Sequence, residues 1–271
     1  MQENSLTVVK VGGGAGIDPS GVCTDVAAWA THGRPVVLIH GASHRANILT
    51  EARGLEPRFL TSPSGHSSRY TDSQAREIFV QAAQEANKEI VALLRGLGTV
   101  AVGLTGDRVP LRAVRKQALR AVVDGRTMVV RDDYSGKITG IDKASLRSIL
   151  AAGQVPVIPP LARSDSDGLL NVDGDRAAAS VAAALGAEIL LIFSNVPGLM
   201  RHYPHENSLV PQVDRDQLDR ALSWAQGRMK RKVLSVRQAL DAGVRRVVLA
   251  DARPSHPLVR AIEGEGTWFN A

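Results

Sequence analysis

Val8-Val9-Lys10-Val11-Gly12-Gly13-Gly14 decides the class of fold: a β-branched run carrying one lysine passes directly into three glycines. A short apolar run that ends in turn residues marks a strand buried on both faces. With its flank it spans 6–11, and comparable runs recur at 35–40, 100–104, 155–159, 189–193 and 246–250. Helical spacing fills the stretches near 20–32, 44–53, 72–95, 142–152, 174–185, 214–225 and 230–242. Strands alternating with helices predict an α/β chain, an open three-layer αβα sandwich with a mainly parallel central sheet.

Two regions break the alternation. Residues 108–141 hold Asp124-Gly125 and Ser135-Gly136 between β-prone residues, which predicts hairpins added to the sheet. Asp165-Ser166-Asp167-Gly168 leads into Leu169-Leu170-Asn171-Val172, a third hairpin signal. The best internal boundary is Gly186, where a helix ends before the strand at 189–193, dividing the chain into 1–186 and 187–271.

The chain has 271 residues, 44% hydrophobic and 22% charged, which supplies a sizeable core and argues against wholesale disorder. Cys23 is the only cysteine, so an internal disulfide and a multi-cysteine zinc site are excluded. Met1-Gln2-Glu3-Asn4 lacks a signal-peptide pattern, and the longest apolar stretch, 181–193, carries Glu188 and falls short of the ~20 residues that cross a bilayer. A soluble, cytoplasmic protein is expected, with no membrane partner. Arginine supplies 26 of the 33 basic residues, against 27 acidic ones. Its planar fork grips carboxylates and phosphates, so nucleic acid, a phosphorylated ligand, an acidic protein and a plain solvated surface all fit the net charge of +6.

Standard nucleotide motifs fail. Gly12-Gly13-Gly14-Ala15-Gly16-Ile17 has Ile17 where a dinucleotide fingerprint needs glycine, and Gly136-Lys137 is followed by Ile138 rather than by Ser or Thr. His40 and His44 have no accompanying carboxylate pair, so a metal site is not expected there. The first glycine turn can still cradle phosphate oxygens, with Lys10 aimed at the same group and the helix near residue 20 adding its positive end. A plain glycine-rich turn fits the same residues. Val36-Val37-Leu38-Ile39-His40-Gly41-Ala42-Ser43 repeats the theme, and two such turns at neighbouring strand ends form the crevice in which open α/β sheets bind ligands.

The order of Lys10-Val11-Gly12-Gly13, His40-Gly41, Gly65 with Arg69-Tyr70-Thr71-Asp72, Asn171-Val172-Asp173-Gly174-Asp175, Phe193-Ser194-Asn195-Val196-Pro197-Gly198 and Gly227-Arg228-Met229-Lys230-Arg231-Lys232 resembles the amino acid kinase family. Within it, the chain is most similar to acetylglutamate kinases and to relatives that phosphorylate aminoadipate or glutamate held on an amino-group carrier protein. The resemblance covers essentially the whole chain. It implies transfer of phosphate from ATP, as Mg-ATP with no protein-held metal, to a side-chain carboxylate.

By resemblance, Lys10 lies beside the transferring phosphoryl group, Lys232 on the leaving phosphate, and Asp175 between the two lysines. Gly12, Gly13, Gly41, Ser194, Asn195, Val196, Gly227 and Met229 belong to the nucleotide. Gly41, Ala42, Arg69 and Asn171 belong to the acceptor, Arg69 as a carboxylate clamp. Residues 1–186 become an acceptor and dimerisation lobe, 187–271 an ATP lobe, and a homodimer is expected. Several positions depart from acetylglutamate kinases: Ala42-Ser43 replaces Gly-Gly, Asp173-Gly174 replaces Asn-Ala, and Lys230-Arg231 replaces neutral residues. The second turn and the acceptor loop from Ser64 to Asp72 resemble the carrier-dependent branch. The chain starts at its first strand without the extra N-terminal helix of arginine-inhibited relatives, so feedback by arginine is not expected.

The expected activity is therefore formation of an acyl phosphate on carrier-bound L-2-aminoadipate, or on glutamate, in lysine biosynthesis. Alternatives are a kinase for free N-acetyl-L-glutamate in arginine biosynthesis and a non-catalytic nucleotide-binding regulator. Arg108, Arg112, Arg115, Lys116, Arg120, Arg126 and Arg131 crowd a 24-residue segment whose only acid is Asp124. No aromatic residue lies there to stack on bases, so nucleic acid is not expected. Either the segment is a solvated surface or Arg112, Arg115, Lys116 and Arg120 dock the acidic carrier.

Overall fold

The computed structural model of the chain describes residues 5–63, 65, 67–123 and 126–271. Ser64 and His66 of the acceptor loop and the Asp124-Gly125 turn lie outside the described residues. The elements begin with β1 (Thr7–Val11), α1 (Ser20–Thr31), β2 (Val36–His40), α2 (Ser43–Glu51), β3 (Phe59–Thr61), β4 (Ser67–Arg69), α3 (Ser73–Gly96), β5 (Ala101–Gly103) and β6 (Leu111–Arg115). They continue with β7 (Leu119–Val123), β8 (Arg126–Val130), β9 (Gly136–Ile141), α4 (Lys143–Ala151), β10 (Val155–Ile158), β11 (Leu161–Ser164), β12 (Gly168–Asn171) and α5 (Gly174–Leu185). Then come β13 (Ile189–Ser194), β14 (Gln212–Asp214), α6 (Leu218–Trp224), α7 (Gly227–Asp241), β15 (Arg246–Asp251), α8 (Pro257–Ile262) and β16 (Thr267–Asn270).

The main sheet has the order β14-β16-β15-β13-β1-β2-β10-β5 and is parallel except where β16 runs antiparallel to β15. Side chains alternate across it, as a period of two requires. Val8, Val37, Ile39, Leu190 and Ile192 pack on the face covered by α5 and α7, while Val9, Val11, Leu38, Leu191 and Phe193 pack toward α1 and α8. Lys10 shares its side of β1 with Val8, so the strand that forms the core also aims its lysine at α5 and α7. Four strands before Gly186 and four after it make one continuous sheet, with β1 paired to β13 over five positions. Gly186 itself, at φ 70°, closes α5. Among the described residues no helix is long and apolar enough to cross a membrane.

The main strands and helices fall close to the positions read from the sequence, and the differences lie in the added β structure. β7 and β8 form the hairpin expected around Asp124-Gly125, and β11 and β12 the one after Ser164. They join two separate four-stranded sheets, β4-β3-β7-β8 and β12-β11-β6-β9, rather than extending the main sheet. Ser135-Gly136 is not a hairpin turn: Gly136 starts β9 and pairs with Arg115 of β6. The glycine answers to packing, since a Cβ there would lie 3.0 Å from Ala113 Cβ and Val172 Cγ1. The stretch expected as a helix from 214 begins on the last residue of strand β14, turns helical at Arg215 as a 3-10 turn and continues as α6 from Leu218, and β3, β4, α8 and β16 are too short to register as patterns.

The turns after β1 and β2 interlock. Gly41 N donates to Val11 O (3.0 Å), His44 N to Gly13 O (2.7 Å) and Ser43 Oγ to Gly13 O (2.8 Å). A Cβ on Gly13 would fall 2.1 Å from the Gly41 carbonyl carbon, and one on Gly41 would fall 2.4 Å from Gly13 N. His40, fully buried behind them, donates from Nδ1 to Gly41 O (3.0 Å) and accepts at Nε2 from Asn87 (3.1 Å), so neither ring nitrogen is open to a metal. Burial pushes its pKa down to about 4, with Lys10 adding to the effect. Gly13→Ala should cost about 1–3 kcal/mol or more in urea unfolding because backbone blocks the new methyl group. Gly96→Ala, at the end of α3 with open space around it, should be neutral or stabilising by up to ~1 kcal/mol. Equal midpoints for the two variants would remove the interlock as the reason for the glycine.

Candidate active site

A cavity of about 690 Å³ opens at the carboxyl ends of β1, β2 and β13, beside the point where the strand order reverses. Its floor is the pair of glycine turns, Gly12, Gly13 and Gly41 with Ala42. Lys10, Asp175 and Lys232 stand above them, nearly enclosed. Lys10 Nζ is 2.7 Å from Asp175 Oδ1, and Lys232 Nζ donates to Asp175 Oδ2 at 3.0 Å. The three come from β1, the first turn of α5 and the second turn of α7.

Electrostatics fix the protonation of this group. Burial opposes ionisation of Asp175, but the Lys10 and Lys232 ammonium groups overcome it and hold the carboxyl far below the usual carboxylate range. Burial draws the Lys232 ammonium down, and Asp175 opposes that. Asp173 sets the position of Asp175 by capping α5: its Oδ1 accepts from the amides of Asp175 and Arg176, both at 3.0 Å. A Cβ on Gly174 would reach Lys10 Cε at 3.4 Å, an ordinary contact, so alanine and glycine fit equally beside the lysine.

One wall carries the residues assigned to the acceptor. Arg69, at the end of β4, donates through Nη2 to Ser43 O (3.1 Å) and to Asn47 Oδ1, and lies 5.2 Å from the Phe59 ring centroid. Burial and the nearby Arg228 lower its pKa. Asn171, closing β12, donates from Nδ2 to Thr71 Oγ1 (3.0 Å). Ser194, Asn195 and Val196 after β13, and Gly227 and Met229 at the start of α7, line the same cavity. Lys232 lines the cavity and Lys230 does not.

Sequence reasoning missed Tyr203, Trp224, Arg228 and Ser135, all of which line the cavity. Tyr203 sits in a loop, Trp224 at the last position of α6 and Arg228 at the start of α7, where periodicity does not mark them. Arg231, noted only as a departure, crosses the opening: it pairs with Asp173 (2.8 Å) and donates to Ser67 O (2.8 Å) on β4. The basic segment divides. Arg112 and Arg120 are exposed, whereas Arg115 donates to Asp133 O and Arg131 O (2.9 Å each) and stacks 3.8 Å from the Tyr134 ring. Lys116 turns inward and lines the cavity.

The chain is 44% identical over 265 residues to the [LysW]-aminoadipate kinase of Deinococcus radiodurans, covering 97% of this chain and 91% of that protein. It is also 44% identical over 266 residues to the protein of the same name from Thermus thermophilus, covering 97% and 99%. Among solved structures, N-acetylglutamate synthase from Neisseria gonorrhoeae, complexed with coenzyme A and N-acetyl-glutamate, superposes with a TM-score of 0.82 at 27% identity. That match takes in 100% of this chain and 60% of the synthase chain. The carbamate kinase of Giardia lamblia bound to AMP-PNP shares the fold, with a TM-score of 0.68 and 13% identity over 100% and 99% of the two chains. The model of the amino acid kinase family matches residues 5–251, and with the sheet order, the paired lysines and these relatives it follows that the chain belongs to the amino acid kinase family.

Proposed function

We propose that the chain phosphorylates the side-chain carboxylate of L-2-aminoadipate, held through its amino group on a small acidic carrier protein, using ATP, as a step of lysine biosynthesis. The observation that carries the reading is Asp175 between Lys10 and Lys232, in a cavity lined both by the residues assigned to the acceptor and by those assigned to the nucleotide. The relatives named for carrier-bound aminoadipate support the choice of acceptor. Glutamate on the same carrier differs by one methylene and is a second acceptor of the same class, as the name of the Cenarchaeum symbiosum relative has it.

The acceptor carboxyl has an ordinary pKa near ~4, so it is already ionised and needs no general base. One of its oxygens attacks the γ-phosphorus, the bond to the oxygen bridging the β-phosphorus breaks, and the electron pair leaves on ADP. The obstacle is bringing anion to anion, which positive charge and in-line placement overcome. Lys10 is assigned to the transferring phosphoryl group and Lys232 to the leaving phosphate. Asp175 holds both in place, and with its carboxyl held far below the usual carboxylate range it is too weak a base to take a proton. Mg²⁺ is assigned to the incoming nucleotide, since both oxygens of Asp175 are taken by lysines and Asp173 is taken by α5 and Arg231.

Residues 1–186 are assigned to the acceptor and 187–271 to ATP. A cytoplasmic homodimer is proposed, formed along the edge strand β5, where the exposed Leu93, Leu97 and Val100 need cover. Free N-acetyl-L-glutamate is the second reading, favoured by the likeness to a synthase solved with that compound. Hydroxylamine trapping of the acyl phosphate separates the readings when carrier-bound aminoadipate, carrier-bound glutamate and the two free N-acetyl compounds are compared. Turnover confined to free N-acetylglutamate would replace the main reading, and no turnover on any acceptor would leave a regulator.

Lys10→Ala and Lys232→Ala should each lower kcat by ~10²–10³ while the KM for ATP changes little, because the charge they meet develops during transfer. Lys230→Ala should stay close to wild type; a larger loss there than at Lys232 would reassign the nucleotide cation. Arg112 and Arg120 are proposed to dock the carrier together with the inward Lys116 and the stacked Arg115. Exposed charges are screened over about 8 Å at physiological ionic strength, so kcat/KM for the carrier substrate should fall with added salt. Arg112→Glu with Arg120→Glu should impair the carrier substrate and spare a free acceptor, and equal effects on both would return the segment to a solvated surface.

A further inference from the structure

One face of the sheet β4-β3-β7-β8 is uncovered and runs on from the mouth of the cavity. Strand register sets Ser67, Thr61, Val122 and Thr127 in a single row across the four strands. A period of two adds Phe59 opposite Arg69, and Arg120 opposite Val129, to the same face. All of these side chains are exposed except that of Arg69, which is half-buried. The other face carries Leu60, Leu119 and Ala121, which are turned away from solvent.

The solvent face of an antiparallel sheet is ordinarily polar. Here Phe59, Val122 and Val129 are 46, 39 and 49% exposed, the charges are Arg69 and Arg120, and no described residue on the face is acidic. Apolar side chains set among arginines mark a surface that another protein covers. Its place selects the partner. Phe59, Ser67 and Arg69 line the cavity assigned to the acceptor, and a substrate tethered through its amino group brings its carrier against the mouth by which it enters. A free acceptor needs no surface beyond the cavity. Arg120, with the exposed Arg126 and Arg131 at the ends of β8, complements an acidic partner. A second copy of this chain fits badly, because a two-fold contact on this face would set arginines against arginines.

We infer that this sheet face is the landing surface of the acidic carrier, with Phe59, Val122 and Val129 in apolar contact and the arginines fixing orientation. It rests on the carrier reading given above. Calorimetry with the aminoadipate-loaded carrier tests it at low and at high salt. Val122→Ser with Val129→Ser should weaken binding of the carrier about 10-fold or more at both salt concentrations, with ATP binding unchanged. Met128→Ser, at an equally exposed position of β8 on the opposite face, should bind the carrier as wild type does. In wild type, hydrogen exchange over 119–123 and 126–130 should slow when the carrier is added. Unchanged affinity in the double variant, an equal loss in Met128→Ser, a loss confined to low salt, or exchange unmoved by the carrier would each overturn the inference. If the double variant also loses ATP, exchange in the wild type decides. Wild type that neither binds nor phosphorylates the loaded carrier would overturn the carrier reading, and this inference with it. A carrier that slows exchange at β7 and β8 yet is not phosphorylated would overturn the kinase reading and leave the landing surface standing.

Discussion

Two ammonium groups cannot be enclosed side by side without a counter-charge, and the carboxylate of Asp175 is the one that Lys10 and Lys232 share. In a protein environment, like charges a few ångströms apart repel by about 4 kcal/mol, comparable to a good part of a domain's net stability. The shared carboxylate therefore fixes three elements relative to one another: β1, the first turn of α5 and the second turn of α7. The alternation of β1 puts Lys10 on the correct face, and the cap at Asp173 sets the start of α5. The charges that the chemistry needs are held by groups drawn from both sides of Gly186.

Much of this was legible in the chain. Buried parallel strands carry continuous apolar runs, so β1, β2, β10, β13 and β15 stood out, and the glycine turns marked where the crevice would open. The satellite sheets were harder because their strands are short, and β8 is largely exposed, so no hydrophobic face declares its partner. Ser135-Gly136 misled for a related reason: glycine serves tight packing as well as turns, and sequence alone does not separate the uses. Tyr203 reaches the cavity from irregular backbone and Trp224 from the last position of α6, where position along the chain says little about direction.

Two departures from the family pattern become one feature in three dimensions. Asp173 and Arg231 lie far apart in the chain and are joined by an ion pair of 2.8 Å, and the same guanidinium holds Ser67 O on β4. An asparagine could cap α5 as well as aspartate does, but it would leave Arg231 without an anion in a part-buried position. The carboxylate and the guanidinium explain each other, and together they tie the start of α5 to α7 and to the strand that carries Arg69.

The contact between Gly13 and Gly41 bears on how such chains diverge. Each glycine is small because the other turn's backbone occupies the space, so neither position can drift while its partner stays, and exchanging both would only double the clash. Ala42 and Ser43, immediately downstream, line the cavity and take part in the same contact, Ser43 Oγ donating to Gly13 O, so the turn that shapes the pocket is tied to the one that forms its floor. The size of the side chain at 13 and at 41 is thus set by backbone alone, whatever the pocket between the two turns binds.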